Sequence, residues 1–394
     1  MDFDIVIVGG GLAGASLAAA LADTRQRVAL IERKPPPAPL PQWDARVYTL
    51  TPASIAFLER VGAWQRLSRE RITPIYDMHV AGDDGGSRLV FSAYESGLLQ
   101  LGATVESGRL HRALWDGLEH QKNLSLLCPN LPVELRRAVD HVEIRLDGGL
   151  EARAKLVVGA DGGDSWVRGA AGMEARSESY DQLGVVANFA CDRAHRGIAY
   201  QWFRRDGVLA FLPLPERRVS IVWSTSRAHA LGLLALSPDA LCARVSQASA
   251  RALGELQPLT PPAAFPLSRM TSRRIAQERV ALIGDSAHVV HPLAGQGINL
   301  GLGDAHCLAD LLTPAPDPGE RMLLRRFERF RAEDILALHW VTHGLFRLFG
   351  TNQAMMRRIR NLGLNLTNSN TVIKTLLTRR ATAVGGGLHQ RETS

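Results

Sequence analysis

Six residues near the start of the chain, Gly9-Gly10-Gly11-Leu12-Ala13-Gly14, have the spacing GxGxxG, and the chemistry open to that spacing is the binding of a pyrophosphate. Gly9 allows a tight turn, Gly11 lets backbone approach a phosphate, and Gly14 lets a helix lie close against a strand. The anion then meets the amides at the start of that helix. Glu32 stands eighteen residues after Gly14, where a carboxylate can accept hydrogen bonds from an adenosine ribose diol. The ligand is a dinucleotide. FAD and NAD share adenosine and pyrophosphate, so this segment leaves the choice between them open.

Such glycines need particular elements around them. Residues 3–8 (FDIVIV) form a β-rich apolar run, residues 12–22 are rich enough in Ala and Leu for a helix, and Val28–Ile31 makes a second strand ending at Glu32. Residues 5–22 carry no charge, which on length alone touches the lower limit for a membrane-spanning helix. Their Gly and Ala content argues against a span, and Asp2 and Asp4 stand where a secretory signal has basic residues. The expectation is no span and no exported form.

Two later runs repeat the pattern of strand followed by glycine. Residues 155–172 (KLVVGADGGDSWVRGAAG) put Asp161 and Gly162 after a short strand, then Ser165 and Arg168. Residues 279–304 (RVALIGDSAHVVHPLAGQGINLGLGD) end a buried strand in Gly284 and Asp285, and Asp285 is placed for a ribityl hydroxyl. Beyond it Pro292 stops any helix and Gly295-Gln296-Gly297 opens a new one, whose amides and positive dipole end suit negative charge on a reduced isoalloxazine. These four residues are the expected catalytic segment.

Together the three runs resemble the group A flavin monooxygenases of para-hydroxybenzoate hydroxylase fold. Within that class the chain is most similar to the ubiquinone-biosynthesis hydroxylases of the UbiH, UbiF and UbiI type, which oxidise prenylated phenols. Trp43-Asp44-Ala45-Arg46 matches the family's Asp-x-Arg cofactor segment, and the AGQGINLGLGD run and the closing helix of residues 370–381 match this branch. The resemblance covers nearly the whole chain. One departure is Ser107 after Glu106, where relatives usually have Glu-Asn.

The resemblance implies an α/β fold: a Rossmann-like FAD-binding domain, an inserted antiparallel-sheet substrate domain and a C-terminal helical segment. The FAD domain would be discontinuous, comprising residues 1–72, 99–176 and 268–330; residues 73–98 and 177–267 would bind substrate, and residues 331–394 would be the helical segment. Noncovalent FAD would be held by Gly9, Gly11, Leu12, Ala13, Gly14, Glu32, Arg33, Arg46, Arg109, Asp161, Gly284, Asp285, Pro292, Gly295, Gly297, Ile298 and Asn299. The chain has one dinucleotide fingerprint and no second, so NAD(P)H would visit as a transient electron donor. Reduced FAD would then react with O2, the co-substrate, to a C4a-hydroperoxide that oxidises the phenol ring.

Residues 181–225 support the inserted sheet, with β-rich segments at 184–190, 198–203, 207–213 and 218–224. Tyr200, Trp202, Phe211 and Trp223 are candidates to wall a ring substrate, with ordinary sheet packing as the alternative for each. A cation here would favour a second reading, a hydroxylase of a small soluble aromatic acid. Arg204 and Arg205 are the candidates, although arginines beside a hairpin turn such as Asp206-Gly207 are usually solvated. A third reading is a flavoprotein scaffold of a biosynthetic complex.

The net charge is +7, and residues 321–394 hold thirteen of the 46 basic side chains against four of the 39 acidic ones. A tail-confined basic excess among apolar residues suggests an anionic membrane surface or a protein partner, not nucleic acid; the resemblance implies that such a partner would be a ubiquinone-biosynthesis complex. Trp340, Leu345, Phe346, Leu348 and Phe349 cluster; Met355, Met356, Ile359 and Leu362 recur among Arg357, Arg358 and Arg360; Val372, Ile373, Leu376 and Leu377 lie beside Lys374, Arg379 and Arg380. The alternative is that these stripes pack on the FAD domain. Cys128, Cys191, Cys242 and Cys307 form no CxxC pair, which fits ordinary thiols in a reducing compartment. His288, His291 and His306 lack a completing ligand pattern, so no metal is expected. The expected location is the cytoplasm, peripheral on the inner face of the membrane.

Overall fold

A strand buried on both faces reads as a continuous apolar run, because neither face meets water. Ile5, Val6 and Ile7 are such a run, each fully buried. In the computed structural model, which describes residues 1–39, 41–84, 86–290, 295–350, 365 and 367–386, they lie in the strand Asp2–Val8 at the centre of a parallel sheet. Val28–Ile31 and then Leu124–Leu127 extend it on one side, Glu151–Gly159 and then Val280–Leu282 on the other. Pro132–Arg137, Val142–Leu146 and Ala276–Gln277 add antiparallel partners, for eight strands among the described residues. The strand order reverses across Asp2–Val8, and ligands bind beyond the carboxyl ends of strands at such a switch. Gly9 and Glu32 follow directly on those ends, and Asp161 and Gly284 one residue further on.

The helix α1 (Leu12–Ala20) begins at Gly11. Helix α2 (Pro52–Arg60) starts where the Thr51 side chain accepts a hydrogen bond from the Ser54 amide and Pro52 presets the first turn. Helix α3 (Ser107–Leu118) buries Leu110, Leu114, Trp115 and Leu118 and packs on α1. The short α4 (Trp166–Ala170) is capped by Ser165. A small antiparallel sheet of Val47–Leu50, Gly102–Glu106 and Thr73–Ile75 lies alongside.

The expected β-rich segments form the strands Ala175–Cys191, Ile198–Arg204, Gly207–Leu214 and Arg218–Ser226 of a second sheet, with nine strands among the described residues. Asp77–Ala81 and Arg88–Ser92 join it, the former parallel to Ile198–Arg204. The ladder between Ala175–Cys191 and Ala263–Ser272 runs from Ala175 opposite Ser272 to Val186 opposite Ala263. The division expected at 176/177 and 267/268 therefore falls inside strands. Helices α5 (Arg227–Leu234) and α6 (Pro238–Ala248) cover one face of this sheet.

Helix α7 (Gly297–Leu312) is almost wholly buried between α1 and α8 (Arg321–Gly350). Helix α9 (Thr371–Thr382) closes the described chain. Ahead of it, the side-chain oxygens of Asn365 and Asn368 accept from the Arg88 and Val90 amides at 3.1 and 3.0 Å, so two asparagines satisfy the outer edge of Arg88–Ser92. After it the chain returns to α2, where the Thr51 hydroxyl donates to the Val384 carbonyl at 2.6 Å. Among the described residues the four cysteines are free, and no helix is long and apolar enough to cross a membrane.

Candidate active site

Two of the three motif glycines are demanded by the protein and one is not. Gly9 has φ +104°, and a Cβ there would stand 2.4 Å from the Ala160 carbonyl oxygen; a Cβ on Gly14 would stand 2.0 Å from that of Gly9. Gly11 has an ordinary φ of −64°, and a Cβ on it would meet nothing within 4 Å. The open space at Gly11 and the absence of a side-chain cap on α1 fit a pyrophosphate against Leu12 and Ala13, whose amides lie in the first turn. Gly10 is held from both sides. Its N–H donates to Glu32 Oε2 at 2.6 Å, and its carbonyl accepts from Trp115 Nε1 at 2.8 Å and His111 Nε2 at 2.7 Å. Glu32 also accepts from the Lys34 amide, and Arg33 beside it is exposed.

Asp161 spends both carboxylate oxygens on the start of α4, accepting from the Ser165 hydroxyl at 2.5 Å and the Val167 amide at 2.9 Å. Its neighbour Arg168 joins the two later motifs, donating to the Gly163 carbonyl at 2.7 Å and the Ser286 carbonyl at 2.9 Å. Gly284 and Asp285 lie in the tight turn Gly284–Ser286. Asp285 keeps exposed surface although protein crowds around it. That desolvation raises its carboxyl above the ordinary range, assisted by Asp304 and opposed by the charges of His288 and Arg46. Arg46 is thus near enough for its charge to act on Asp285.

The Asp-x-Arg segment is a junction. Asp44 Oδ1 accepts from the Arg46 amide at 2.8 Å and Oδ2 from the Gly108 amide at 3.0 Å, while its own N–H donates to Glu106 Oε1 at 2.8 Å. Its carbonyl accepts from Asn188 Nδ2 of the second sheet at 2.8 Å. The nearly inaccessible Glu106 has the Nε atoms of Arg71 and Arg109 each 2.9 Å from Oε2, and the Arg71 guanidinium lies 3.8 Å over the Trp43 ring. Asp44, not Ser107, satisfies the start of α3, and Ser107 contributes its amide to the Arg46 carbonyl. Glu106, Trp115 and His111 were not singled out in the sequence; the traces there were a carboxylate ending an apolar strand and an aromatic on a buried helix face.

At the start of α7, Gly295, Gln296, Gly297 and Ile298 keep some exposure and no side chain caps the helix, which leaves its first amides for an anion. The Asn299 side chain is spent within the protein. Fully buried, it donates from Nδ2 to the Thr49 carbonyl and accepts at Oδ1 from the Thr51 amide, both at 2.9 Å, so it clamps α7 to Val47–Leu50. Pro292 and His291 lie outside the described residues. His306 stacks on Phe57 at 4.5 Å, and no metal-holding cluster forms among the described residues.

The four aromatic candidates require a correction. Register puts Trp202 opposite Leu209 and Leu209 opposite Trp223, and likewise aligns Tyr200 with Phe211. All four therefore share the face covered by α5 and α6. Phe211 and Trp223 are fully buried there with Leu233, Leu241 and Val245, and Tyr200 and Trp202 pack against them. They form a core, not the walls of a ring pocket. The opposite face, carrying Val186, Asn188, Val222 and Gln201 by register, meets Asp44. Arg204 is committed to Asp206 at 2.8 Å and to the Ala248 carbonyl at 2.7 Å, and Arg205 is exposed.

The family model for the FAD binding domain matches residues 2–334, and the chain belongs to that family, as an FAD-dependent aromatic-ring monooxygenase of para-hydroxybenzoate hydroxylase fold. Particular relatives are similar along most of its length. The ubiquinone hydroxylase UbiL of Rhodospirillum rubrum is 37% identical over 385 residues, covering 96% of this chain and 89% of the relative. The 3-demethoxyubiquinol 3-hydroxylase of Escherichia coli K12 is 35% identical over 378 residues, covering 94% and 96%. A variant of Pseudomonas aeruginosa PqsL superposes with a TM-score of 0.78 at 25% identity, covering 92% of this chain and 99% of that one.

Proposed function

We propose that the protein hydroxylates the aromatic ring of a polyprenylated phenol in ubiquinone biosynthesis. The observation that carries the reading is the convergence of Gly11, Glu32 and Asp285 at the switch point of the parallel sheet, beside a second sheet fastened through Asn188 and Asp44. The names of the two relatives above support the substrate class.

Bound FAD supplies oxygen activation and transfer, with NAD(P)H as visiting reductant. The α1 amides receive the pyrophosphate, Glu32 the ribose diol, and Asp285 a ribityl hydroxyl. The α7 amides from Gly297 onward, with Gly295 and Gln296, stabilise negative charge at the reacting end, and Pro292 keeps a helix from running through the residues before them. Arg46 and Arg109 fix the segment beside it, and the second sheet excludes water. The FAD-binding part is residues 1–72, 99–176 and 268–330, with the strand ends at its borders shared with the substrate part.

Residues 331–394 bring this site to the membrane that carries a lipid substrate. Helix α9 turns Lys374 and Thr378 inward and Ile373, Leu376 and Leu377 outward, the reverse of a helix that packs by its apolar stripe. Lys374 Nζ lies 2.9 Å from Glu95, in a loop whose Tyr94 and Leu99 are almost fully exposed. An apolar face turned away from its own protein, with Arg379 and Arg380 at its end, fits an anionic membrane interface and a peripheral location. The expected side chains at 340–349 and 355–362 lie outside those described. A small aromatic acid is the weaker substrate, since Arg204 is already paired.

The first test is the purified protein, expected to be yellow with FAD released on denaturation. Folded protein that takes up no flavin from excess FAD overturns the reading. The second is quinone-intermediate profiling of a deletion strain, in which a prenylated phenol should accumulate. Normal quinone content would remove the substrate, and flavin binding without substrate-stimulated NAD(P)H oxidation would leave the scaffold reading.

A further inference from the structure

Asp304 ends the AGQGINLGLGD run, and Arg331 interrupts the apolar face of the next helix. In the structure neither has any exposed surface. Arg331 Nε donates to Asp304 Oδ1 at 2.7 Å, and Asp304 Oδ2 lies 2.6 Å from His288 Nε2 and accepts from the Gly284 amide at 2.9 Å. The same guanidinium donates through Nη2 to the Leu300 carbonyl at 3.1 Å and through Nη1 to Asp334 at 2.6 Å. Replacing a buried ion pair by apolar residues is often neutral or stabilising, so stability alone does not explain its retention. The connections do. One carboxylate gathers donors from the turn that bears Asp285, from the strand His288–Val289 that reaches the second sheet, and from α8. One guanidinium reaches from it to the first turns of α7.

We propose that Asp304 and Arg331 are positioning residues for the cofactor: together they hold Asp285 and the N-terminal amides of α7 at a fixed separation, and so set how the flavin end of FAD is held. The inference rests on the FAD reading above. Neither side chain is exposed, so both act through Gly284 and Leu300. Burial alone would raise the Asp304 carboxyl, but the charges and hydrogen bonds of His288 and Arg331 outweigh it and hold it below the ordinary range. The Gly284 amide thus shares its acceptor with the two side chains that favour its charged form.

The test uses the full chain with Arg331→Lys, which keeps the cation and loses the reach to Leu300, and with the apolar pair Asp304→Leu/Arg331→Met, which removes both fully buried charges together should Arg331→Lys fail to fold. FAD affinity is titrated on the stripped protein, the midpoint potential of bound flavin is read by dye equilibration, and unfolding is followed by denaturant. In folded variants we expect FAD binding weaker by roughly ten- to a hundredfold, as though one charge-assisted hydrogen bond from Asp285 or the α7 amides to the cofactor were lost. The potential should shift downward, because misaimed α7 amides stabilise the anionic reduced ring less. Wild-type affinity and potential in either folded variant overturn the positioning role, even if unfolding shifts. Wild-type protein that binds no FAD in the same titration overturns the cofactor reading and this inference together.

Discussion

A Cβ on Gly14 would stand 2.0 Å from the Gly9 carbonyl oxygen, whereas one on Gly11 would meet nothing within 4 Å. The two substitutions should therefore separate folding from binding. Gly14→Ala forces α1 away from the strand and should cost roughly 1–3 kcal/mol of stability as overpacking does. Gly11→Ala should cost the ligand-free protein no more than about 1 kcal/mol, yet weaken FAD by at least about tenfold, because its methyl fills the phosphate's space. Denaturant unfolding and FAD titration on both variants check this. A Gly11→Ala protein with wild-type affinity would mean the pyrophosphate lies elsewhere.

Asp285 should trade stability against binding. Its carboxyl is raised above the ordinary value of 3.8 by burial. A raised carboxyl leaves stability intact below the unfolded-state value and removes it as pH rises through the folded-state value. Ligand-free Asp285→Asn should therefore unfold at a higher temperature than wild type at pH 7, and the difference should close as pH falls toward 3.8. Asp285→Ala should weaken FAD by roughly ten- to a hundredfold, equivalent to about 1.5–3 kcal/mol. Glu32→Ala should add to that loss independently. No gain in Tm for the Asn variant would show that protein does not desolvate this carboxylate.

Trp223→Ala should destabilise by about 3–5 kcal/mol, the usual cost of emptying a fully buried aromatic site. The substrate KM of the remaining folded enzyme should not change. A raised KM with intact stability would return Trp223 to the substrate.

The outward stripe of α9 can be tested by changing Ile373, Leu376 and Leu377 together to Ser. These side chains are 45–64% exposed, so unfolding should be unaltered while co-sedimentation with anionic vesicles falls and wild-type binding weakens with salt. Equal, salt-insensitive behaviour of the two proteins would exclude the membrane as the partner.

Asn365→Ala with Asn368→Ala should uncover the amides of Arg88 and Val90 on a sheet edge. Unpaired strand edges recruit other chains, so light scattering should reveal concentration-dependent self-association. A variant that stays as monodisperse as wild type would show that water serves this edge equally well.

What was readable in the sequence follows from how local the physics is. Glycine spacing, the apolar run of residues 3–8 and the β-rich segments of residues 184–224 depend on neighbours a few positions away, and the elements appear where those patterns lie. Trp223 shows the limit. An aromatic on a strand is equally able to face a ligand or a helix, and only the pairing with Leu209 and the arrival of α5 and α6 decide between them. Asn299 and Glu106 show it again, since their partners Thr49 and Arg71 sit 250 and 35 positions away.

The Thr51 hydroxyl reaches a carbonyl 333 residues later in the chain, and this has a consequence for the order of synthesis. The residue that opens α2, and whose amide Asn299 ties to α7, has its hydroxyl's acceptor among the last residues made. A chain interrupted anywhere before residue 384 therefore leaves the ribosome with this latch open.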